Sequence, residues 1–375
     1  MFPLFCLIRQ ATAQQDSTHT AADSLLIKQL EQQLAATSQP SAPQAATRAA
    51  QSTNPNISVI GDFRASYLTP ARRHLEAEFH EAEISLQSVV DPYARADFFV
   101  ALARDEASGE FGVELEEAFL TTQTLPAGLQ LKLGKFRSTF GKINMLHPHA
   151  LPFLDVPNVY ANYLGDEGLN DEGASLSWLV PNPLNFYQEL AFEVTRGPSE
   201  SPSFVMSEAD RFLYSSHLKN FWDLTPNATL EIGLSGAIGP NEAARNSVLG
   251  GIDLTYKWKP LRFNAYKSFV LQLEALLSEK KISANEKLQT WGMYALSTYQ
   301  LGRRWFLTGR FDYANQPGEA NYVERAYSGI LGWYATEFQK IELQYKTTDA
   351  NAFARVHQVG VRAIFIIGAH GAHVY

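Results

Sequence analysis

Apolar and polar residues alternate along most of the chain from Asn56 onward, in segments of roughly ten to fifteen residues. The alternation is clearest around Leu131, Ile232, Leu254 and Leu343. Because successive side chains of a β-strand point to opposite faces, each of these segments has one apolar face and one polar face. Gly, Pro, Asn and Asp separate the segments, as is typical of turns between strands. The pattern therefore predicts an all-β chain.

The alternating segments number about sixteen, which leaves about twenty residues for each strand and its connection. This spacing is typical of a transmembrane barrel with tilted strands. Two long connections are predicted, over 138–171 and 197–210, and a long strand is predicted over 261–274. The predicted strands begin near Ile57, Glu76, Tyr93, Phe111, Gly128, Gly173, Phe186, Arg211, Ala228, Ser247, Leu261, Leu288, Trp305, Arg325, Gln339 and Arg355.

The alternative to a barrel is a soluble β-sandwich, which shows the same alternation but rarely has strands this long. In hydrocarbon an unpaired peptide group costs several kcal/mol, so the sheet must close. Closure directs the apolar set toward lipid and a charged set, which includes Glu231, Asp253, Arg310 and Glu342, toward a wet lumen. We therefore expect a closed antiparallel transmembrane β-barrel in the bacterial outer membrane. Residues expected to form aromatic girdles at its rims are Tyr67, Phe136, Trp178, Trp222, Trp258, Trp305 and Trp333.

The amino-acid composition excludes several classes of protein. The chain has 375 residues, a net charge of -8 and 45% hydrophobic residues, which is too apolar for a disordered chain. After the first residues no run of eighteen apolar residues occurs, so a helical membrane protein is excluded. Nucleic acid is not an expected partner, because phosphate binding requires clustered Lys and Arg. Outer-membrane lipid and small solutes or ions are the expected partners.

The first 55 residues differ from the rest. Residues 1–13 resemble a short signal peptide, with an apolar run and a small-x-small cleavage site, and they contain the single cysteine, Cys6. Residues 14–55 are rich in Ala, Gln, Ser and Thr and predict a periplasmic linker, with a short helical stripe that either pairs as a coiled coil or is disordered. Residues 56–375 are the predicted barrel.

Several motifs go beyond the alternation. They read GKFR at 134–137, FGKIN at 140–144, LHPHALPF at 146–153, GDEGL at 165–169 and GAHGAHVY at 368–375. These motifs resemble a family of bacterial outer-membrane barrels labelled zinc-regulated TonB-dependent outer membrane receptors. Only about forty residues separate the leader from the first strand, so a plugless relative of those receptors is predicted. The short helix before a barrel also resembles, more loosely, the phosphate-selective porins, a resemblance that implies a homotrimer.

Histidines in and near these motifs are candidate metal ligands. His147 and His149 flank Pro148, and in extended backbone residues i and i+2 point the same way, so both imidazoles would reach one Zn(II) or another divalent cation. His370 and His373, with Asp155, complete such a site if the tail folds back. The alternative is that the prolines stiffen a loop that narrows the pore and the histidines line it. No other cofactor is indicated.

Charged residues around the same motifs are candidates for a pore constriction. Lys132, Arg137 and Lys142 would form its positive side. Four glutamates of the second strand would face them: Glu76, Glu78, Glu81 and Glu83. Opposed charges across a lumen create a transverse field that orients passing solutes. The alternative is that these residues are ordinary hydrated charges of the wall, and the same two interpretations apply to Glu114, Glu116 and Glu117.

The function expected from the sequence is passive diffusion of small hydrophilic solutes or ions through a porin-like channel, with a metal-related cargo as one version. A lumen-blocked structural or surface-binding barrel is the alternative. A barrel hydrolase is the less favoured reading. No zinc-protease, nucleophile-elbow or phosphate-loop motif occurs, and Ser216 and His217, as neighbours on one strand, face opposite sides.

Overall fold

The computed structural model describes residues 55–70, 75–104, 110–197, 201–206 and 211–368. The predicted signal peptide and linker, and the tail that carries His370 and His373, lie outside the described residues. The strands are β1 Asn56–Thr69, β2 Leu75–Asp91, β3 Ala94–Arg104, β4 Phe111–Thr122, β5 Leu129–Arg137, β6 Asn170–Leu179, β7 Tyr187–Thr195, β8 Leu213–Thr225, β9 Ala228–Pro240, β10 Asn246–Trp258, β11 Phe269–Lys281, β12 Lys287–Gln300, β13 Trp305–Gln316, β14 Glu319–Thr336, β15 Gln339–Ala350 and β16 Phe353–Gly368.

The sixteen strands form one closed antiparallel barrel in which every strand pairs with its neighbours in sequence. The first and last strands also pair, from Ser58 opposite Gly368 to Thr69 opposite His357. This pairing leaves no open sheet edge, which confirms the predicted fold class. One α-helix, α1 (Asn158–Leu164), and three 3₁₀ turns, at Pro126–Gly128, Pro148–Ala150 and Leu261–Phe263, complete the described elements. Among the described residues, no helix is long and apolar enough to cross a bilayer.

Most predicted strand starts lie within three residues of the observed ones, but two were wrong. The strand predicted from Leu261 begins at Phe269, because Leu261–Phe263 form a 3₁₀ turn directly after Pro260. The strand predicted from Arg325 begins at Glu319, because a two-residue turn containing Gly318, at φ 92°, joins it tightly to β13. A positive φ costs glycine little, so the hairpin forms earlier than the alternation suggests.

Side-chain directions follow the predicted alternation. Leu343 is 47% exposed on the outside, whereas its neighbour Glu342 is 1% exposed and faces inward. The inward set of β9 and β10 includes Glu231 and Asp253, which are buried as predicted. The prediction that Phe136 belongs to a lipid-facing girdle was wrong. Phe136 is fully buried on the inside, beneath the ammonium of Lys132.

One side of the interior is apolar. Inward residues of β10 to β14, among them Leu249, Leu276, Leu296 and Ile330, pack in a core with the segment that follows β5. Part of the inner wall is therefore apolar and covered by this segment, so polar groups line only the rest of the lumen.

Candidate functional site in the barrel lumen

Residues 138–169, between β5 and β6, fold into the barrel, and we call this segment the lumen loop. Its side chains Phe140, Phe153 and Leu164 are almost completely buried. It contacts inward residues from β2 around to β16, so it crosses most of the interior. The long connection predicted from the sequence is therefore present, and it is folded inside the barrel.

The loop enters and leaves the wall at one point. The backbone N–H of Ser138 donates to the carbonyl of Leu169 at 2.8 Å. The amide nitrogen of Asn144 donates to both carbonyls, at 2.8 Å to Ser138 and 3.0 Å to Leu169, and its Oδ1 accepts from the N–H of Leu169 at 2.8 Å. Asn144 thus closes the neck of the loop and satisfies backbone groups that water does not reach.

The FGKIN motif fits the loop closely against the wall. Gly141 has φ 68°, and a β-carbon there would collide with Oε1 of Glu274 on β11. Its N–H donates to Oγ of Ser235 at 2.8 Å. Next in the chain, Lys142 pairs with Glu231 at 2.6 Å. A glycine is required at this position because the backbone conformation and the close approach both exclude a side chain.

Farther along, α1 lies on the apolar side of the interior. The hydroxyl of Tyr160 donates to Oε1 of Glu274 at 2.7 Å, and the hydroxyl of Tyr294 donates to Oε2 at 3.0 Å. Burial, followed by the charge of Glu274, raises the pKa of Tyr160 well above its ordinary value. The phenol therefore remains a hydrogen-bond donor, which anchors the helix to β11.

Asp155 anchors the middle of the loop to the opposite wall. Its Oδ2 accepts from Nη2 of Arg310 at 2.8 Å, and it also contacts Lys346 and Gln344. Burial raises the pKa of the Asp155 carboxyl, but Arg310 and Lys346 outweigh it and hold the pKa well below its usual range. The stabilisation is therefore complete above pH 3.8 and is lost only as pH falls through the lower folded-state pKa.

We expect Asp155→Asn to loosen the lumen loop. The variant loses charge-assisted hydrogen bonds worth about 1.5–3 kcal/mol each, so amide exchange over 150–160 should accelerate about tenfold or more at neutral pH. Hydrogen-exchange mass spectrometry of the protein in detergent measures this rate. Asp349→Asn, which removes an exposed pair with Arg355 at 3.0 Å, is the matched control and should leave the segment unchanged. Equal exchange in both variants would show that Asp155 does not hold the loop.

Arg362 holds the part of the loop that carries the histidines. Its fully buried guanidinium pairs with Asp62 at 2.9 Å, donates to the carbonyl of Pro148 at 2.6 Å and to that of Phe153 at 3.0 Å. Asp62 and Arg362 lie on the paired strands β1 and β16, two positions apart in the register. Sequence reasoning missed this anchor, because only the closing pairing of the first and last strands brings the two residues together.

The two histidines of the LHPHALPF motif meet a group of glutamates on β2 and β4. Nδ1 of His147 lies 2.9 Å from both Glu83 and Glu116, and Nε2 lies 2.8 Å from Glu117. Nδ1 of His149 lies 3.3 Å from Glu83. With Glu81, which is also buried, these residues form what we call the His-Glu cluster: Glu81, Glu83, Glu116, Glu117, His147 and His149.

Backbone irregularities build this cluster. The pairing of β3 with β4 shifts between Phe99 and Val100, so Glu116 is an extra residue and both Glu116 and Glu117 are buried on the inside. Pro148–Ala150 form a 3₁₀ turn, so the segment is not extended as predicted, yet the two imidazoles stack with ring centroids 5.5 Å apart. The alternation rule alone would direct one of the two glutamates outward, which is why their role stayed open in the sequence.

The two histidines differ in charge. Burial lowers the pKa of His147, but hydrogen bonds to Glu116, Glu117 and Glu83 outweigh it and raise the pKa well above its ordinary value. Burial lowers the pKa of His149, and Glu83 does not compensate. The structure thus favours an imidazolium at His147, clamped by carboxylates, beside a neutral imidazole at His149.

The predicted constriction residues are in or near the lumen, but most are paired. Arg137 donates to the carbonyl of Glu167 at 2.8 Å and lies 3.8 Å from Glu116, while Lys142 pairs with Glu231. Glu83 contacts the histidines, and Glu78 lies 3.7 Å from His80. The ammonium of Lys132 lies over the rings of Phe119 and Phe136, at 4.5 and 5.5 Å from their centroids. Their role in ion selectivity stays a prediction.

Two cavities border the lumen loop. The larger has a volume of about 1220 Å³ and is lined by loop residues that include Lys142 and His149, together with Lys257 and Lys340 of the wall. The smaller has a volume of about 440 Å³ and is lined by Glu83, Lys132, His147 and neighbouring wall residues. The His-Glu cluster therefore lies between two spaces that are large enough for small hydrated solutes.

No family model matches the chain. An uncharacterized protein of Aquifex aeolicus is 30% identical over 334 residues, and the match covers 78% of this chain and 69% of that protein.

Three solved structures have a similar fold. The outer membrane channel DcaP of Acinetobacter baumannii is 10% identical with a TM-score of 0.59, covering 83% of this chain and 96% of that one. An anion-selective porin from Comamonas acidovorans is 11% identical with a TM-score of 0.58, covering 83% and 98%. OmpT of Vibrio cholerae, an outer membrane protein in a trimer form, is 11% identical with a TM-score of 0.54, covering 84% and 100%.

Proposed function

The chain belongs to the same protein family as the uncharacterized Aquifex aeolicus protein, and we propose that it is a porin-like channel of the bacterial outer membrane. It passes small hydrophilic solutes or ions by diffusion, and it breaks no covalent bond. The fold that it shares with an outer membrane channel and an anion-selective porin supports this proposal.

The observation that carries the proposal is the direction of the charged side chains. Asp253, Arg310, Asp312 and Glu342 point inward and are almost completely buried, while large apolar side chains cover the outside. Turning such a charge outward at mid-bilayer costs about 2–4 kcal/mol. A closed wall with this arrangement suits a lipid exterior and a hydrated interior, and the cavities beside the lumen loop supply space for solutes.

Planar-bilayer recording tests the proposal. The purified protein should produce discrete conductance steps whose size scales with salt concentration. Silence over a wide range of voltage and salt, with correctly folded protein, would exclude diffusion of ions and favour the alternative below.

We expect Lys132→Glu to shift ion selectivity toward cations. Lys132 lies in the wall of the smaller cavity, and reversing its charge changes the local potential that passing ions experience. The reversal potential in a salt gradient measures this shift. Lys287→Glu is the control, because Lys287 is exposed and pairs with Glu279 at the loop end of the β11–β12 hairpin. An unaltered reversal potential for Lys132→Glu would remove this residue from the ion path.

A second candidate is a structural or surface-binding barrel with a blocked lumen. The packing of Phe140, Phe153 and α1 against inward Leu249, Leu276 and Leu296 favours it, because this part of the interior is an apolar core. The two candidates differ in conductance, so the recording above separates them. The hydrolase alternative is weaker, since His217 contacts Ser235 at 2.8 Å and Ser235 already accepts from Gly141 of the loop.

Three finer features complete the proposal. We propose that three copies assemble, as the trimer form of Vibrio cholerae OmpT suggests for this fold, and that lipid surrounds the trimer. We propose that residues 1–13 direct export. The resemblance to zinc-regulated TonB-dependent receptors is proposed only as a link to metal ions, supported by the His-Glu cluster.

A further inference from the structure

We propose that the His-Glu cluster binds one divalent transition-metal cation through Glu81, Glu83 and His149, and that this ion fastens the lumen loop to β2. This inference goes beyond the proposed function, because it holds whether or not the barrel conducts. One ligand, His149, comes from the loop, and the two carboxylates come from alternate positions of one strand, so both point inward.

The ligand atoms are already close together. One carboxylate oxygen each from Glu81 and Glu83 and one ring nitrogen of His149 all lie within 4.8 Å of one another. Three atoms that are each about 2.0–2.2 Å from one tetrahedral ion lie about 3.3–3.6 Å apart. Nδ1 of His149 is already 3.3 Å from Glu83, so side-chain movements of about an ångström are enough to surround an ion.

A second triad, Glu83, Glu116 and His147, also has its ligand atoms within 4.8 Å of one another. The two triads differ in how many of these atoms already have hydrogen-bond partners. Both ring nitrogens of His147 already face carboxylates at 2.8 to 2.9 Å. By contrast, Glu81 is 6% exposed, and among the described residues its Oε1 meets no hydrogen-bond donor. A buried carboxylate oxygen without a donor is costly, and a cation removes that cost. This difference selects the triad with Glu81.

Charge balance also favours a cation. Four buried glutamates form the cluster, and the nearest cationic groups are the His147 imidazole, which they clamp, and Arg137, 3.8 Å from Glu116. Arg362 and Arg64 pair with Asp62, and Lys340 lies 3.8 Å from Glu342, so these cations have carboxylates of their own. The buried carboxyl groups of the cluster therefore outnumber the basic groups beside them, which favours a cationic ligand.

The site can be reached from water, and its ligands define the kind of ion. His149 lines the larger cavity and Glu83 lines the smaller one, so a hydrated ion can approach from either. An imidazole with two carboxylates suits Zn²⁺ or Mn²⁺, whereas Mg²⁺ and Ca²⁺ prefer oxygen ligands alone. The stacked ring of His147 and the bonds from Arg362 to the loop backbone keep His149 in position.

The test is a Zn²⁺ titration of the untagged, chelator-treated protein in detergent, in competition with a chromogenic chelator. We expect one Zn²⁺ per chain and weak competition by Mg²⁺. Glu81→Gln, which preserves shape, and His149→Ala should each lower the affinity at least about tenfold. Glu324→Gln, a buried lumen carboxylate bonded to Asn162, and His357→Ala, bonded to Tyr345 at the rim, are controls that should retain it.

The outcomes are distinct. Failure to bind one Zn²⁺, or unchanged affinity in Glu81→Gln, overturns the proposal. Loss of binding in His370→Ala/His373→Ala with full binding in Glu81→Gln would assign the metal to the C-terminal tail instead, which also overturns it. Heat-modified electrophoretic mobility shows whether each variant is folded, and because Glu81→Gln keeps the size of the side chain, its result stands even if His149→Ala does not fold.

Discussion

Replacing residues 146–164 with a short Gly-Ser linker is expected to raise the single-channel conductance severalfold. The replacement retains the neck formed by Ser138, Asn144 and Leu169 but removes the chain that crosses the interior. It also removes most of the loop's apolar side chains, among them Phe153 and Leu164, from the core that contains Leu276 and Leu296, and water would fill the space that they vacate. Because conductance increases with the open cross-section, the loop-deleted barrel should carry a larger current at the same voltage and salt.

The barrel wall itself should survive this deletion. Closure depends on the ladder of backbone hydrogen bonds between adjacent strands, and none of these bonds belongs to residues 146–164. The wall carboxylates that lose loop partners, such as Glu274 and Glu83, would become hydrated rather than buried and unpaired. Tyr160→Phe, which removes one hydrogen bond without shortening the loop, is the control and should leave the conductance near its original value. A conductance that does not change on deletion would show that the loop does not set the open cross-section.

Leu343→Arg is expected to destabilise the folded barrel by about 2–4 kcal/mol. Leu343 lies near the middle of β15, faces outward and is paired with Leu331 and Val361, which face outward as well. An arginine there exposes its guanidinium to hydrocarbon, where no water or counter-charge compensates it. Reversible urea unfolding in lipid vesicles, followed by tryptophan fluorescence, measures the loss.

The control is a substitution at a different depth in the bilayer. Phe353 is also exposed, but it begins β16 at the end of the barrel, where an arginine costs about 0–1 kcal/mol. A large difference between the two variants therefore indicates a bilayer around the wall. Similar small losses in both would mean that the apolar exterior does not face hydrocarbon, and the membrane assignment would fail with it.

Local chemistry allowed much of the wall to be predicted. A period of two is a property of the extended backbone, so the apolar face of each strand can be read before any pairing is known. The sixteen strands and the inward direction of Glu231 and Asp253 follow from that periodicity. Where it failed, at Leu261 and at Glu116, a 3₁₀ turn or an extra residue in the strand interrupts the period.

The candidate site could be predicted only in part. The motifs singled out His147, His149, Arg137 and Lys142, and all four are buried in the interior. Their partners could not be predicted, because each partner lies on a strand that is remote in sequence. Lys142 meets Glu231, and the histidines meet glutamates of β2 and β4.

The chain's own pattern thus establishes that there is a closed wall, which faces are apolar, and that one long connection carries the unusual residues. The reason is that each strand position depends on its immediate neighbours and on the surrounding solvent. Three features arise only after the barrel closes. They are the path of the lumen loop, the neutralisation of its charges and the grouping of Glu81, Glu83 and His149. Closure brings residues that are distant in sequence within a few ångströms, and burial there allows a carboxylate to remain charged only beside a cation.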